Sequence, residues 1–431
     1  MMQVDRYGLA LTAGTDAAAA YNRGIGHLLR LERGAVEAVA SAVALDPTFA
    51  LGHAALALLG HEFCAPVDVA ARLRDARLHA RRSTERERSH VHAVDRHLAG
   101  DSAPLVRHLD RYPDDALLLS VAVPTIAFAG VTTVPEQAWQ IVERCGPAYG
   151  NDWWYAGLLA FMRQEQGMFD EAMDLSRASL AAEPAAGHSA HARAHAHYET
   201  ADHAAGLAWM DGWITGDGAR AESLTHFSWH AAMHELSDGD IDAVRRRYDT
   251  QLRPTPDLGC RGLVDSGSLL WRWALTPGCG AVPGIDEVLA HVDDELLRCP
   301  PTPFMGLHAV VALCAADDAD GLAALARSCD TRDDATQVEV TAPLARAMRR
   351  LVLGEASGAA DDLAALTPRL WRVGGSDAQR EVVEDTRICA LLRAGRYDEA
   401  AALVDRRLDR RHCRRDEWFR AEAVAGAALG G

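Results

Sequence analysis

The sequence predicts an all-α protein built from stacked helical hairpins. Ala and Leu dominate its 431 residues, of which 49% are hydrophobic and 6% aromatic, a composition that favours helix over strand. Candidate helices recur in pairs joined by a glycine turn, and such a pair must stack on its neighbours to bury its apolar face. We therefore expect one continuous domain, residues 1–431, wound as a right-handed α-solenoid.

The first hairpin is predicted at the N-terminal end of the chain. One helix covers Tyr21 to Leu31, Gly34 breaks it, and a second helix runs from Ala35 to Leu45. Asp46-Pro47 ends the pair, and Phe49 to Leu59 begins the next helix. Small residues at the crossing points with a proline beyond the second helix are typical of the tetratricopeptide repeat.

The same pattern returns three times, more loosely towards the C-terminus. Each copy has a helix, a glycine turn and a second helix that opens with acidic residues, which suit the positive end of the helix dipole. The copies cover Trp153 to Ala182, Glu222 to Ala243 and Val382 to Ala400. Proline and glycine predict irregular loops near 254–260, 277–284 and 299–303, either connectors or lids over a groove.

Composition excludes several classes of function. The net charge of −17 opposes nonspecific binding to nucleic acid or an anionic membrane. There is no apolar run of 18 residues and no secretion signal, and the nine cysteines form no CxxC pair, so we expect a cytoplasmic protein with reduced thiols. The arginine runs 245–247 and 406–415 are interpreted as solvated helix faces.

Lysine is absent, so all 44 basic residues are arginines. Arginine forms no imine, which excludes lysine Schiff bases and the usual attachment of pyridoxal phosphate. A P-loop NTPase is excluded too, because its motif needs a lysine.

Ionisable residues recur at a spacing of 35 residues, which we interpret as one structural repeat. His191, His195 and Glu199 are four residues apart, so they share one helix stripe, with roughly 6 Å of rise per step. The next stripe contains His226, His230 and His234, and Asp265 extends the row into a third repeat. His308 follows out of register. If equivalent helices line the inner surface, these side chains face one groove.

Three interpretations of the aligned residues stay open. Histidines on apolar helices often only hydrogen-bond between packed helices. An imidazole oriented by Asp265 or Glu199 is instead suited to act as a general base near neutral pH. Pairs of histidines one turn apart are also suited to hold a divalent metal ion, and the candidates are His191, His195, His226 and His230.

Two further features could contribute to a site. Trp229 and Trp271 lie close to the same repeats and could wall an organic ligand, although tryptophan at helical spacing is more often core. Arg86, Glu87 and His90 follow a capped helix start, and an alternative interpretation places them at the groove.

The chain resembles the tetratricopeptide repeat protein 38 family of bacteria and animals. The resemblance is carried by Asp5 to Tyr21, Arg86-Glu87-x-x-His90, Trp154-Tyr155, Ala160-Phe161, Glu165, His191-Ala192-x-Ala194-His195-x-x-x-Glu199, His226-x-x-Trp229-His230, Asp265-x-x-Ser268-Leu269-Leu270-Trp271-Arg272 and Phe304-x-x-x-His308-Ala309. Ser189-Ala190 stands where a Trp-Ala pair is expected. The resemblance implies an all-helical array with a polar groove and carries no activity with it.

The sequence favours an enzyme of undefined class. In this interpretation a small polar molecule binds in the groove, where His195, His230 and Asp265 are the catalytic group. The ligand-binding residues are His191, Glu199, His226, Trp229, Trp271 and His308. A divalent metal is the one cofactor considered. The alternative is a non-catalytic scaffold that grips a peptide or protein partner.

Overall fold

The computed structural model describes residues 3–62, 65–125, 131, 134–256 and 258–430. It confirms the all-α prediction, since helices follow one another through nearly all of these residues. A small antiparallel hairpin near the N-terminus, which the sequence did not suggest, pairs β1 (Gln3–Val4) with β2 (Ala10–Leu11).

The described residues gather into two compact units. The first unit comprises residues 1–193 and 215–222, and the second comprises 194–214 and 223–431. The predicted single continuous domain and its right-handed winding stay predictions.

The first unit is made of helical hairpins. Its helices are α1 (Thr15–Arg30), α2 (Ala35–Leu45), α3 (Ala50–Glu62), α4 (Val69–Ala80), α5 (Glu85–Leu98), α6 (Ala103–Arg111), α7 (Ala116–Ala122), α8 (Pro135–Tyr149), α9 (Trp153–Glu165), α10 (Phe169–Ala182) and the start of α11 (Gly187–Glu199). The predicted hairpins correspond to α1/α2 and α9/α10.

The α1/α2 crossing shows why the chain folds as a hairpin here. Gly24 lies so close to α2 that a Cβ added to it would stand 2.5 Å from Cγ2 of Val39. The small residue therefore lets the two backbones approach each other. Gly34 joins the helices with a φ of 105°, a left-handed conformation that glycine adopts without strain.

The second unit continues with helices of uneven length. They are the end of α11, α12 (His203–Thr215), α13 (Leu224–Ser237), α14 (Ile241–Arg247), α15 (Cys260–Gly262), α16 (Ser268–Leu275), α17 (Asp286–Leu289), α18 (Asp294–Arg298), α19 (Pro303–Ala315), α20 (Ala319–Asp330), α21 (Ala342–Val352), α22 (Ala356–Leu366), α23 (Asp377–Arg393), α24 (Tyr397–Arg410) and α25 (Arg414–Gly430). A 3₁₀ segment, Thr367–Val373, follows α22.

Three π-helical turns interrupt the α-helical backbone of this unit, at Tyr248–Leu252, Leu263–Gly267 and Gln337–Thr341. The second turn joins α15 to α16 and carries Asp265. Such turns add one residue to a helical turn and often mark functional sites.

The predicted irregular segments coincide with connections between helices. The described residues of 253–259 and 276–284 are largely non-helical. Asp257 lies outside the described residues. Pro303 occupies the first turn of α19, and Thr302 caps that helix by accepting a hydrogen bond from the backbone N–H of Met305.

The interpretation of the arginine runs as solvated faces is wrong for four of their members. Arg407, Arg411 and Arg415 are buried and form ion pairs with Glu381 and Asp385. In the other run, the buried Arg247 binds Glu235 through two hydrogen bonds of 2.9 and 2.7 Å. Each guanidinium is buried with a carboxylate, which compensates for much of the loss of water.

None of the described helices combines the length and the apolar character needed to cross a lipid bilayer. The eight cysteines within the described residues are free thiols, whereas Cys64 lies outside them.

Candidate functional site

Two of the predicted catalytic residues contact each other in the second unit. His195 lies near the end of α11 and His230 in the middle of α13, and both are buried. Their ring centroids are 4.5 Å apart with an angle of 75° between the planes. Ring nitrogens of the two residues come within 4.8 Å of each other. The 35-residue spacing therefore brings this pair together as expected.

Asp265 joins this pair through a third histidine. Its Oδ1 lies 2.8 Å from Nδ1 of His226, and both side chains are buried. The ring of His226 contacts that of His230 edge to face, with centroids 4.9 Å apart. The predicted row is thus continuous, but the imidazole that the carboxylate orients is His226, for which the sequence predicts ligand binding or metal coordination and not catalysis.

His308 approaches the same group from α19, which packs against the π turn that carries Asp265. The side chain is 1% exposed, and neither of its ring nitrogens has a hydrogen-bond partner among the described residues. Burial lowers its pKa to about 3, helped by the charges of Arg272 and His226. We call His195, His226, His230, His308 and Asp265 the histidine cluster.

The two predicted tryptophans behave differently. Trp229 is buried, stacks on His226 with centroids 5.5 Å apart and meets His230 at 4.9 Å. Its indole nitrogen has no hydrogen-bond partner among the described residues. Trp271 instead donates a 2.9 Å hydrogen bond to Thr386, which makes it part of the packing between α16 and α23. Only Trp229 directly walls the cluster.

Glu199 belongs to a different network. Its Oε2 accepts a 3.0 Å hydrogen bond from Arg411, whose other nitrogen binds Glu381. Burial raises the pKa of Glu199, and Arg411 counteracts that effect. Tyr198 donates to the same Glu381 at 2.8 Å. No hydrogen bond among the described residues links Glu199 to an imidazole. The contacts therefore give no support to the prediction that this carboxylate orients a histidine ring.

His191 and His234 make further ring contacts, His191 in the first unit and His234 in the second. His191 is buried at the first-unit end of α11, where its ring stacks on Phe161 with centroids 5.2 Å apart. In the second unit, His234 faces His203, with 3.1 Å between their Nδ1 atoms. Burial lowers the pKa of both rings of that pair, that of His203 to about 4.

His195 and His308 carry neutral imidazoles at ordinary pH. Burial, together with the charges of His226 and Arg380, lowers the pKa of His195 to about 3. Rings with such pKa values accept protons poorly near neutrality. They are suited to donate and accept hydrogen bonds, or to ligate a metal ion, which requires the neutral ring. His226 differs from them, because Asp265 fixes its orientation and its tautomer.

Arg86, Glu87 and His90 meet in the first unit. Glu87 completes a capping box with Thr84, 2.9 Å from its backbone nitrogen, and also accepts a 2.7 Å hydrogen bond from the backbone of Thr12. Arg86 donates to the carbonyl of Ala10 at 2.8 Å. These residues tie the N-terminal hairpin to α5.

Sequence reasoning missed two residues that join this group, His108 and Asp115. Neither is part of a recurrent spacing, so nothing in the sequence singled them out.

A search of the chain against models of known protein families finds no match. The resemblance to the tetratricopeptide repeat protein 38 family stays a prediction.

Proposed function

We propose that the histidine cluster binds a small polar organic molecule and acts on it by histidine acid/base chemistry. The observation that carries the proposal is a buried Asp265–His226 pair accompanied by polar groups that have no hydrogen-bond partner among the described residues. An unsatisfied buried donor or acceptor costs about 1–3 kcal/mol, and native proteins contain few of them. Both nitrogens of His308 and the indole nitrogen of Trp229 are such groups.

In this proposal His226 is the general base. Its Nδ1–H donates to Asp265, which leaves Nε2 as the proton acceptor and stabilises the ring once it is charged. His195, which is neutral near pH 7 because of its lowered pKa, stands beside it as a hydrogen-bonding group, and the ring of His230 contacts the rings of both. This assignment exchanges the roles that the sequence gave to His195 and His226, because an imidazole with a pKa of about 3 has too little affinity for a proton to be an efficient base near neutral pH.

The ligand that fits is polar and carries no large charge. His308 offers one donor and one acceptor, and Trp229 adds a donor. The nearby guanidinium of Arg272 is already paired with Asp385 at 3.1 Å. An amide-bearing or hydroxylated metabolite matches these groups better than a polyanion does. The proposal includes a cytoplasmic location, in keeping with the expected reduced thiols.

A divalent metal ion at the same cluster is the second candidate. Metal-bound histidines usually donate their other ring N–H to a carboxylate, which is the relation between His226 and Asp265. The rings of His195 and His230, whose nitrogens come within 4.8 Å of each other, would then complete the ligand set. In that case the metal, and not His226, would activate the substrate.

Thermal-shift screening of dialysed protein tests the proposal. The panel contains neutral amides, amino acids and polyols, and each compound is measured on wild type, on His230→Ala and on His412→Ala. His412 is an exposed histidine far along the chain, so it is the matched control. A ligand at about one hundred times its Kd stabilises the fold by about 2.7 kcal/mol. We expect a compound that shifts wild type and His412→Ala but not His230→Ala.

Measurements of turnover and of zinc dependence distinguish acid/base catalysis from a metal site and from a peptide-binding scaffold. The bound compound is incubated with wild type and with Asp265→Asn, and conversion is followed by NMR. Slower conversion by the variant, with binding retained, supports the acid/base reading. If wild type and Asp265→Asn bind the compound equally and only in the presence of zinc, the metal hypothesis is favoured. Binding of peptides alone favours the non-catalytic scaffold. Shifts that survive His230→Ala unchanged would refute the proposed site.

A further inference from the structure

A second group of potential metal ligands lies in the first unit, outside the histidine cluster. Three elements contribute to it: His90 from α5, His108 from α6 and Asp115, which caps the N-terminus of α7. All three side chains are buried, and one potential ligand atom from each lies within 4.8 Å of the others. Oδ2 of Asp115 is 2.8 Å from Nδ1 of His90 and 3.1 Å from Nε2 of His108.

The group holds more negative than positive charge. Arg86 donates to the same oxygen of Asp115 at 3.1 Å, and it also interacts electrostatically with Asp5 and Glu87. Three carboxylates therefore face one guanidinium, which leaves an excess of two negative charges when all are ionised. Burial raises the pKa of Asp5 to about 6, and the charge of Asp115 contributes to the rise. Such an excess is costly inside a protein.

We propose that His90, His108 and Asp115 bind a divalent transition-metal ion of the zinc class. Imidazole nitrogen and carboxylate oxygen are usual zinc ligands, and three protein ligands are enough for a site with one open position. A dication added to three carboxylates and one guanidinium brings the sum of the charges to zero. The ion would tie α5, α6 and α7 together near the N-terminal hairpin.

The ring protons can rearrange to allow this. Each imidazole must present a lone pair to the ion at the nitrogen that now faces Asp115. In His108 the proton then moves to Nδ1, which is 2.8 Å from Oγ of Ser89, a hydroxyl that can either donate or accept. In His90 it moves to Nε2, an atom that has no partner among the described residues in either tautomer. The change therefore breaks no hydrogen bond outside the group.

The neighbouring contacts fix the ligands in place. Oδ1 of Asp115 accepts from the backbone nitrogen of Leu118 at 3.4 Å, so the carboxylate is held from its other side. Ser89 holds the ring of His108 in the same way. Removing such an outer partner typically weakens metal binding tenfold to a hundredfold.

The test uses a protein in which the contacting pair His195 and His230 of the second unit cannot contribute. His195→Ala/His230→Ala is the background chain, and it is stripped with a chelator and then titrated with zinc alone. On this background we compare His108→Ala, Ser89→Ala and His97→Ala. His97 is the matched control because it lies on α5, like His90, but binds Glu62. Bound zinc per chain is measured after gel filtration, and circular dichroism reports the fold.

We expect about one zinc ion per chain for the background and for His97→Ala. His108→Ala should lose it, and Ser89→Ala should bind about tenfold to a hundredfold more weakly while keeping its fold. Failure of the folded background protein to retain zinc would overturn the proposal. Equal zinc affinity of Ser89→Ala and His97→Ala would also overturn it. This second comparison does not depend on whether His108→Ala folds. The result is independent of the function proposed for the histidine cluster.

Discussion

Replacing His308 by leucine should stabilise the ligand-free protein, although it removes a residue of the proposed site. The ring of His308 is 1% exposed and has no hydrogen-bond partner at either nitrogen among the described residues. Leucine is similar in volume and carries no polar atom. The substitution therefore removes two unsatisfied groups from the interior, and a site kept for binding often costs stability in this way.

The magnitude follows from the burial and from the pKa. Each unsatisfied polar atom costs about 1–3 kcal/mol, and a hydrophobic side chain of slightly different shape costs up to about 1.5 kcal/mol to repack. We expect a net gain of about 1–3 kcal/mol in the free energy of unfolding near neutral pH.

The gain should grow on acidification. Burial lowers the pKa of His308 from 6.5 to about 3 in the folded protein. Between pH 6.5 and about pH 3 the His308 ring is protonated in the unfolded chain but not in the folded protein, so wild type loses stability as the pH falls below 6.5. At about pH 5 this adds roughly 2 kcal/mol to the advantage of the variant.

Urea unfolding of dialysed wild type and His308→Leu, followed by circular dichroism at about pH 8 and about pH 5, measures both effects. His226→Leu is the control, because it also removes a cluster imidazole but deprives the buried Asp265 of its hydrogen bond. That variant should lose about 1–3 kcal/mol. If His308→Leu is less stable than wild type at both pH values, the ring is better satisfied than the contacts show, and the argument for an incomplete site fails.

Two further predictions concern the frame around the cluster. Gly206→Ala should lower the free energy of unfolding by about 1–3 kcal/mol in urea unfolding, because the added Cβ would stand 2.7 Å from Cε1 of His234. Gly212 lies on the same helix, and a Cβ added there meets nothing within 4 Å, so Gly212→Ala should raise the free energy of unfolding by up to about 1 kcal/mol. Arg411→Met should cost about 3–5 kcal/mol, measured by the same method, because it removes the buried guanidinium that joins the buried Glu381 to the partly buried Glu199. Arg396→Met breaks exposed ion pairs and exposed hydrogen bonds to Ser357, so it should leave the urea midpoint almost unchanged. A similar loss of stability in both arginine variants would contradict this expectation.

The helical hairpins could be predicted because their determinants are local. The predicted helices Ala35 to Leu45 and Phe169 to Ala182 coincide with α2 and α10, since a glycine turn precedes each and a polar residue followed by proline ends each. Residues in α24 and α25 show the limit of this reasoning. Arg407, Arg411 and Arg415 are spaced four apart, which would form one stripe on a single helix, but Arg411 is the C-cap of α24 and Arg415 lies in α25. Their carboxylate partners come from α23, and no local rule identifies them.

The sequence predicts most residues of the histidine cluster, but it does not predict which imidazole Asp265 binds. The repeat spacing brought His195 to His230, and a strict register would also have placed Asp265 beside His230. Asp265 lies in a π turn, which adds one residue to the helical turn and so rotates the side chains that follow by about 100°. Its hydrogen bond goes to His226, one helical turn from His230. A π turn leaves no reliable pattern in a single sequence.

A crystal structure of the protein as purified, with anomalous data for metal identification, tests the central claim most directly. The account predicts that His195, His226, His230 and Asp265 form one contiguous group and that ordered density lies within hydrogen-bonding distance of His308. Rings that point to separate surfaces, or a His308 enclosed by apolar atoms with no density beside it, would contradict it.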